Sequence, residues 1–269
     1  MDFDKSYFNL GYLDTLSYKH TIIHRLDPRV KLLFTIAFVM TVVSFPKYAV
    51  TELMPFFLIP VLGIALGDIP AGFVARKILI ASPFAICVGV FNPFFDTVPV
   101  IHIGTFDITA GWISFLSVMI KFVLTVSAGL LLIATTSFPD VCRALQRLRM
   151  PDIFVLQLLF LYRYIFVLIE EAMKMKRARD LKSFGSKGLG IRTFAGLIGV
   201  FFLRAMERSE RVYRAMLSRG FQGRITTSKV FRVRKADLLF LAAGLSTLLL
   251  FRLYNMSTAT EGLLRRILS

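Results

Sequence analysis

Few residues of this 269-residue chain have the types and spacing that chemistry requires. His20 and His24 stand four apart, a spacing that places both on one helix face and can hold a metal ion. No third ligand stands near them and His102 lies far along the chain, so no metal site is expected. The run GSKGLG, Gly185 to Gly190, superficially resembles a phosphate-binding loop, but no strand precedes it. The G-x-x-x-x-G-K-[ST] pattern is missing, and these glycines read as a turn between helices. Cys87 and Cys142 lie in different segments and form neither a disulfide framework nor a metal knuckle. The carboxylates are scattered, without the cluster or nucleophile of a lipid-modifying membrane enzyme, and no ring-forming filter motif marks a channel. Neither a catalytic residue nor a cofactor is expected.

What remains is charge in apolar surroundings and at helix ends. Lys121 and Arg163 sit inside apolar runs, where ionisable groups default to a functional hypothesis. Lys121 is expected to snorkel to the interface. Arg163 is expected on a helix lying at the membrane surface, tied to Asp152 or another acid. Two further arginines close long helical patterns: Glu170 is followed nine positions on by Arg179, and Glu210 nine positions on by Arg219. Pattern alone fits a solvated end complementing the helix dipole as well as a docking anchor.

The elements that must position these groups are membrane helices. A mean hydropathy of +0.67 with 56% hydrophobic residues is more apolar surface than a soluble domain of this size buries. Spans of about 20 residues are expected at Val30–Phe45, Tyr48–Leu66, Ile78–Phe95, Ile113–Thr136 and Leu238–Tyr254. Pro55, Pro60, Pro83 and Pro93 are expected to bend the second and third. The first residues lack a signal-peptide pattern, so the mature chain is expected to begin where the sequence does.

The formal charge of +16 is concentrated: residues 139–235 carry 21 Lys and Arg against 7 Asp and Glu, the remainder 12 against 10. Basic segments stay cytoplasmic. The connection Asp96–Thr109 has no Lys or Arg, while that between the second and third spans holds Arg76 and Lys77, so the first reads as extracytoplasmic and the second as cytoplasmic. The N-terminus and the basic module then share the cytoplasmic side of the plasma (inner) membrane. Nucleic acid is set aside as a partner, because the arginines are interleaved with membrane-length apolar runs. Within the module an amphipathic piece (Pro139–Leu148) precedes two long helices. The first runs from about Pro151 to Lys182, and the second from about Arg192 to Arg219, stopping at Gly220. The expected fold is all-α, about five transmembrane helices plus cytoplasmic coupling helices. Its parts are an N-terminal segment (1–29), a four-helix membrane part (30–136), a basic module (137–235), and a last span with its tail (236–269).

With these residues in view, the sequence resembles the T component of energy-coupling-factor transporters, the CbiQ/EcfT family. The hallmark arginine motifs correspond to Ala178-Arg179-Asp180 and Ser218-Arg219-Gly220, and AMLSRGFQG from Ala215 to Gly223 fits the second closely. Arg149-Met150-Pro151, Arg163-Tyr164 and Glu170-Glu171-Ala172 also sit where the family places similar residues. The opening DTLSYKHTIIHRLDPRVKLL resembles the cobalt branch. Two departures stand out: Asp180 occupies a position often held by a small residue and is expected to pair with Lys182 or Arg177, and Phe166 replaces a proline common after the Arg-Tyr pair. The resemblance implies a non-catalytic subunit that joins two cytoplasmic ATP-binding subunits to a substrate-capture membrane subunit within the bilayer. It implies cobalt as substrate, with nickel or biotin as alternatives. It makes residues 178–180 and 218–220 the ATPase-coupling sites, and Asp27, Pro28, Arg29, Pro151, Arg163 and Glu171 their structural support. Any metal ligands belong to the capture subunit.

Overall fold

A computed structural model describes residues 17, 21, 23–95, 99–103, 106–182, 190–223 and 234–253, with backbone alone for 94, 95, 99–103 and 106–110. His20, the glycine run before Gly190 and the tail beyond Leu253 lie outside these residues. The described elements fall into two compact units, one holding the membrane helices that flank the basic module in sequence, the other the helices of the module.

In the first unit, α1 (Pro28–Val43) starts where the sequence encodes a start. Asp27 accepts from the Arg29 N–H at 2.9 Å, and Pro28 fills the first helical position, where a missing N–H costs little. A broken helical run follows: α2 (Val50–Leu53), a 3₁₀ turn (Met54–Phe57) carrying Pro55, and α3 (Leu58–Gly67). The expected bend at Pro55 is this tightened turn, and it turns Phe56 inward. Phe56 is fully buried, its ring centroid 6.2 Å from Phe38, 5.3 Å from Phe45 and 5.7 Å from Phe251. Then come α4 (Ala71–Gly89), α5 (Asn92–Phe95), a two-stranded antiparallel hairpin of β1 (Pro99–Ile103) and β2 (Phe106–Thr109), α6 (Ala110–Thr135) and, after the module, α10 (Lys235–Leu253). α6 packs against α1 to α5 and is the centre of the unit. At Gly244 on α10 an added Cβ would lie 2.6 Å from the Phe34 ring, so only glycine allows this approach to α1. Outward residues such as Leu79 and Phe84 are 71% and 76% exposed, an apolar rind suited to lipid.

Among the described residues five helices are long and apolar enough to cross a bilayer, as expected in number, but they are not the expected five. They are Val50–Gly67, Ala71–Gly89, Gly111–Thr135, Asp152–Lys182 and Lys235–Leu253. The first expected span is a helix of 16 residues, about 24 Å at 1.5 Å per residue and short of a core of about 30 Å. Pro28 and Pro46 bracket it too closely. The helix around Arg163 has the bounds expected of it, but it was expected to lie at the surface and is instead apolar enough over a sufficient length to cross. Arg76 and Lys77 are also not in a connection: three residues, Asp68 to Pro70, link α3 to α4, and both cations lie in the early turns of α4. The hairpin was not expected either; the run Val100, Ile101, His102 and Ile103, rich in β-branched residues, and the alternation of Phe106, Asp107, Ile108 and Thr109 are the strand signal.

The second unit contains α7 (Phe138–Arg147), α8 (Asp152–Lys182) and α9 (Ile191–Leu217). Phe138 stacks on Tyr162 with centroids 4.8 Å apart, and the face of α7 bearing Cys142 and Ala144 is buried. Burial pushes the Cys142 thiol up to about 11 against the opposing pull of Arg143, so this cysteine is inert packing. Between α7 and α8, Met150 N–H donates to Leu145 O and Arg149 N–H to Gln146 O, a Schellman closure with Arg149 left-handed at φ +69. Gln146 Nε2 then donates to Asp152 Oδ1 at 2.9 Å and pins the turn. Glycine is the natural occupant of that φ, and a non-glycine residue there costs roughly 1–2 kcal/mol. Arg149→Gly is therefore expected to raise thermal stability in detergent by about 0.5–1 kcal/mol; a lower melting midpoint would show that the guanidinium makes a stabilising contact of its own.

Candidate coupling surface

The two helix ends singled out by sequence have different geometries. α9 closes in a Schellman turn: Phe221 N–H donates to Met216 O at 3.0 Å and Gly220 N–H to Leu217 O at 2.9 Å, with Gly220 left-handed at φ +78. Glycine at this point is what stops the helix. Arg219 is the last residue before that reversal, exposed, with no side-chain hydrogen bond or ion pair among the described residues. Ser218 Oγ bonds back to Arg214 O at 3.0 Å and keeps the last turn wound. The result is an unneutralised guanidinium on a rigid tip.

Arg179 lies three residues before the end of α8, on its last turn. Its Nη1 donates to Asp180 Oδ1 at 3.2 Å, and its side chain is only 18% exposed. Asp180 thus pairs with the motif arginine itself, a partner not among those expected from sequence. The helix end is still basic, but its arginine is partly neutralised.

Pro151 O accepts from Phe154 N–H and Val155 N–H and opens α8. Glu171 Oε1 accepts from Arg204 Nη1 at 2.7 Å, joining α8 to α9. Arg163 is not tied to Asp152: it is exposed, 6.0 Å from the Tyr164 ring centroid and without an ion pair among the described residues. Lys121 does more than snorkel, since its Nζ donates to Phe45 O at 2.6 Å and Pro46 O at 3.4 Å, holding α6 to the turn after α1. His24 bonds through Nδ1 to Thr21 Oγ1 at 2.7 Å and through Nε2 to Ala134 O at 3.3 Å, which engages both ring nitrogens. Among the described residues no group of three or more His, Cys, Asp or Glu is placed to hold a metal.

Sequence reasoning passed over a buried polar clasp in the membrane unit. Lys31, 6% exposed, donates to Thr135 O at 2.8 Å and to His24 O at 3.5 Å, so two cationic or donor groups meet the C-terminus of α6, where the helix dipole favours them. Asp237 Oδ2 accepts from Arg234 N–H at 2.7 Å and its Oδ1 from Asp27 N–H at 3.2 Å. One carboxylate thereby caps α10 and reaches the start of α1. An acid three residues after Arg234, just before an apolar run, is half of a capping box, and that spacing was the available signal.

Helices of bilayer length and apolar faces turned outward define a multi-pass membrane protein. The profile of the CbiQ family, described as cobalt transport protein, matches residues 19–229, and the chain belongs to that family. It is 29% identical over 247 residues to the energy-coupling factor transporter transmembrane protein EcfT of Thermosediminibacter oceani, covering 84% of this chain and 91% of that one. It is 28% identical over 221 residues to an uncharacterized protein of Methanocaldococcus jannaschii, covering 79% and 81%. A shorter match, 32% over 99 residues, links it to the cobalt transport protein CbiQ of Salmonella typhimurium, covering 36% of this chain and 44% of that one. The fold and these relatives together make it a transmembrane component of the CbiQ and EcfT kind.

Proposed function

We propose that this chain is the non-catalytic coupling subunit of an ATP-driven importer, joining two cytoplasmic ATP-binding subunits to a substrate-capture membrane subunit, with cobalt ion as the transported substrate. The observation that carries this reading is the pair of long basic helices in one unit, each with an arginine at its C-terminal turn, with Arg219 unpaired beside a left-handed glycine. Residues 178–180 and 218–220 are the contacts to the ATPases, and the basic module 137–235 is the part that makes them. The excess of Lys and Arg there supports a cytoplasmic orientation for the module and the N-terminal segment 1–29. Cobalt rests on the CbiQ resemblance of the opening residues.

Reconstitution tests this directly. Uptake of labelled cobalt into cells is expected only when this chain, the capture subunit and the ATPases are expressed together, with nickel as competitor to define selectivity. The purified chain alone is expected to hydrolyse no ATP. Turnover by the isolated chain, or co-purification that never includes an ATPase, would overturn the reading.

A further inference from the structure

α8 and α9 meet in antiparallel sense near Glu171 and Arg204: residues 167–171 of α8 share one cavity with residues 201–211 of α9, and residues 172–176 share another with residues 194–201. Both helices are apolar in their first halves and charged in their second, so each cavity pairs an apolar stretch of one with a charged stretch of the other. The first cavity, about 290 Å³, is lined by Val167 and Leu168 from α8 and by Phe201, Arg204, Arg208 and Arg211 from α9, the three arginines at the i, i+4, i+7 spacing that puts them on one helix face. Its carboxylates are already engaged, Glu171 with Arg204 at 2.7 Å and Glu207 with Arg211 at 3.7 Å. Glu170, one residue before Glu171, is engaged with Lys174 at 2.8 Å. Arg208 makes no ion pair or side-chain hydrogen bond among the described residues, although Glu170 and Lys174 lie near enough to feel its charge. Phe201 also lines the second cavity, about 240 Å³, whose walls include Met173, Met175, Leu197 and Ile198.

We propose that the arginine-lined cavity binds the phosphate of an anionic membrane phospholipid, with Arg208 as the charge that holds it, Arg211 as a second donor and the adjoining methionine-lined trough taking acyl chain. Three facts favour a lipid over a soluble phosphate. Val167, Leu168 and Phe201 line the polar cavity beside its arginines, and it meets an apolar trough at Phe201. Phe202 and Leu203, immediately before Arg204, are 62% and 63% exposed, so α9 presents an apolar face next to its arginines, the pattern of a helix lying at a lipid interface. A cavity at the low end of the range for small-molecule sites admits a phosphate and its first carbons rather than a nucleotide. Guanidinium suits the task because its fork donates to two phosphate oxygens at once.

The test uses the full chain in a neutral detergent, with bound lipid counted by native mass spectrometry during titration with phosphatidylglycerol or phosphatidylcholine. Phosphatidylglycerol is expected to bind at least about tenfold more tightly, a difference of about 1.4 kcal/mol. Arg208→Gln is expected to remove most of that preference, and Arg211→Gln part of it. Arg192→Gln, at the exposed start of α9 and outside the cavity, is expected to leave it intact. Millimolar inorganic phosphate is expected not to displace the lipid. Equal affinity for the two lipids, or equal losses in the Arg192 and Arg208 variants, would reduce the effect to general surface charge and overturn the site. Displacement by inorganic phosphate would make it a soluble-anion pocket and overturn the lipid assignment. An Arg208 variant that keeps its lipid and loses ATPase attachment would make the arginine a protein contact, which also ends the proposal.

Discussion

Arg219→Glu is expected to abolish substrate uptake while the protein still inserts in the membrane and still binds its capture subunit. The expectation follows from the geometry of the tip. Arg219 is exposed and unpaired, and the Schellman turn behind it fixes the direction from which it can be met. On the coupling proposed above, it docks in a groove of an ATPase and donates to a carboxylate or to backbone carbonyls there. Truncating one partner of such a buried charged bond costs about 2–5 kcal/mol, which at about 1.4 kcal/mol per decade is roughly 30-fold to several thousand-fold in affinity. Glutamate does more than truncation, because it sets a like charge against an acidic or carbonyl-lined groove. Arg179→Glu is expected to act in the same direction and less strongly, since Arg179 is already held by Asp180 at 3.2 Å. Asp180→Ala, which removes this ion pair, is expected to leave uptake intact or raise ATPase retention. Uptake and ATPase pull-down on the two single variants and the pair decide the matter: normal uptake in the double variant at wild-type expression would make both ends solvated termini.

The ends of the long helices were legible in the sequence because punctuation residues set them. Pro151 and Asp152 open α8, Lys182 ends it before a glycine-rich run, and Gly220 stops α9. The apolar runs were legible as helices but not as spans. Hydropathy does not register that Pro28 and Pro46 leave α1 only 16 residues, and the weight given to the one charge of Arg163 set aside a run that is apolar enough to cross. Partners between distant segments were not legible at all. Lys121 with Phe45 O, Arg204 with Glu171 and Asp237 with Asp27 join residues 76, 33 and 210 positions apart, and no local pattern encodes such a meeting. What the sequence does carry is half of each pair, an ionisable group in apolar surroundings that must find a partner or leave.

Asp237 provides the sharpest case, and its replacement is expected to have the largest effect on stability. The carboxylate is 3% exposed and accepts from two backbone N–H groups, Arg234 at 2.7 Å and Asp27 at 3.2 Å. Both donors stand at helix N-termini, where a negative charge adds about 0.3–1 kcal/mol at each end. Against this stands the nearby Asp27 carboxylate, 4% exposed, whose Oδ2 has no hydrogen-bond partner among the described residues. Removing Asp237 relieves repulsion between two buried anions. The two contributions have opposite signs, and a pair of substitutions separates them. Asp237→Ala leaves the buried Asp27 N–H unsatisfied at about 1–3 kcal/mol and takes the cap from the part-buried Arg234 N–H. Asp237→Asn removes the charge, keeps the shape and keeps one accepting oxygen. If the caps dominate, the thermal midpoint in detergent falls from wild type to Asn and further to Ala; if repulsion dominates, Asn melts above wild type. The caps are expected to win, because Arg29 lies 3.8 Å from Asp27 Oδ1 and already offsets part of the repulsion. An Asn variant as stable as wild type or more so would show instead that the clasp is a strained meeting of carboxylates, held by the packing of α10 against α1 around Gly244 and Phe34.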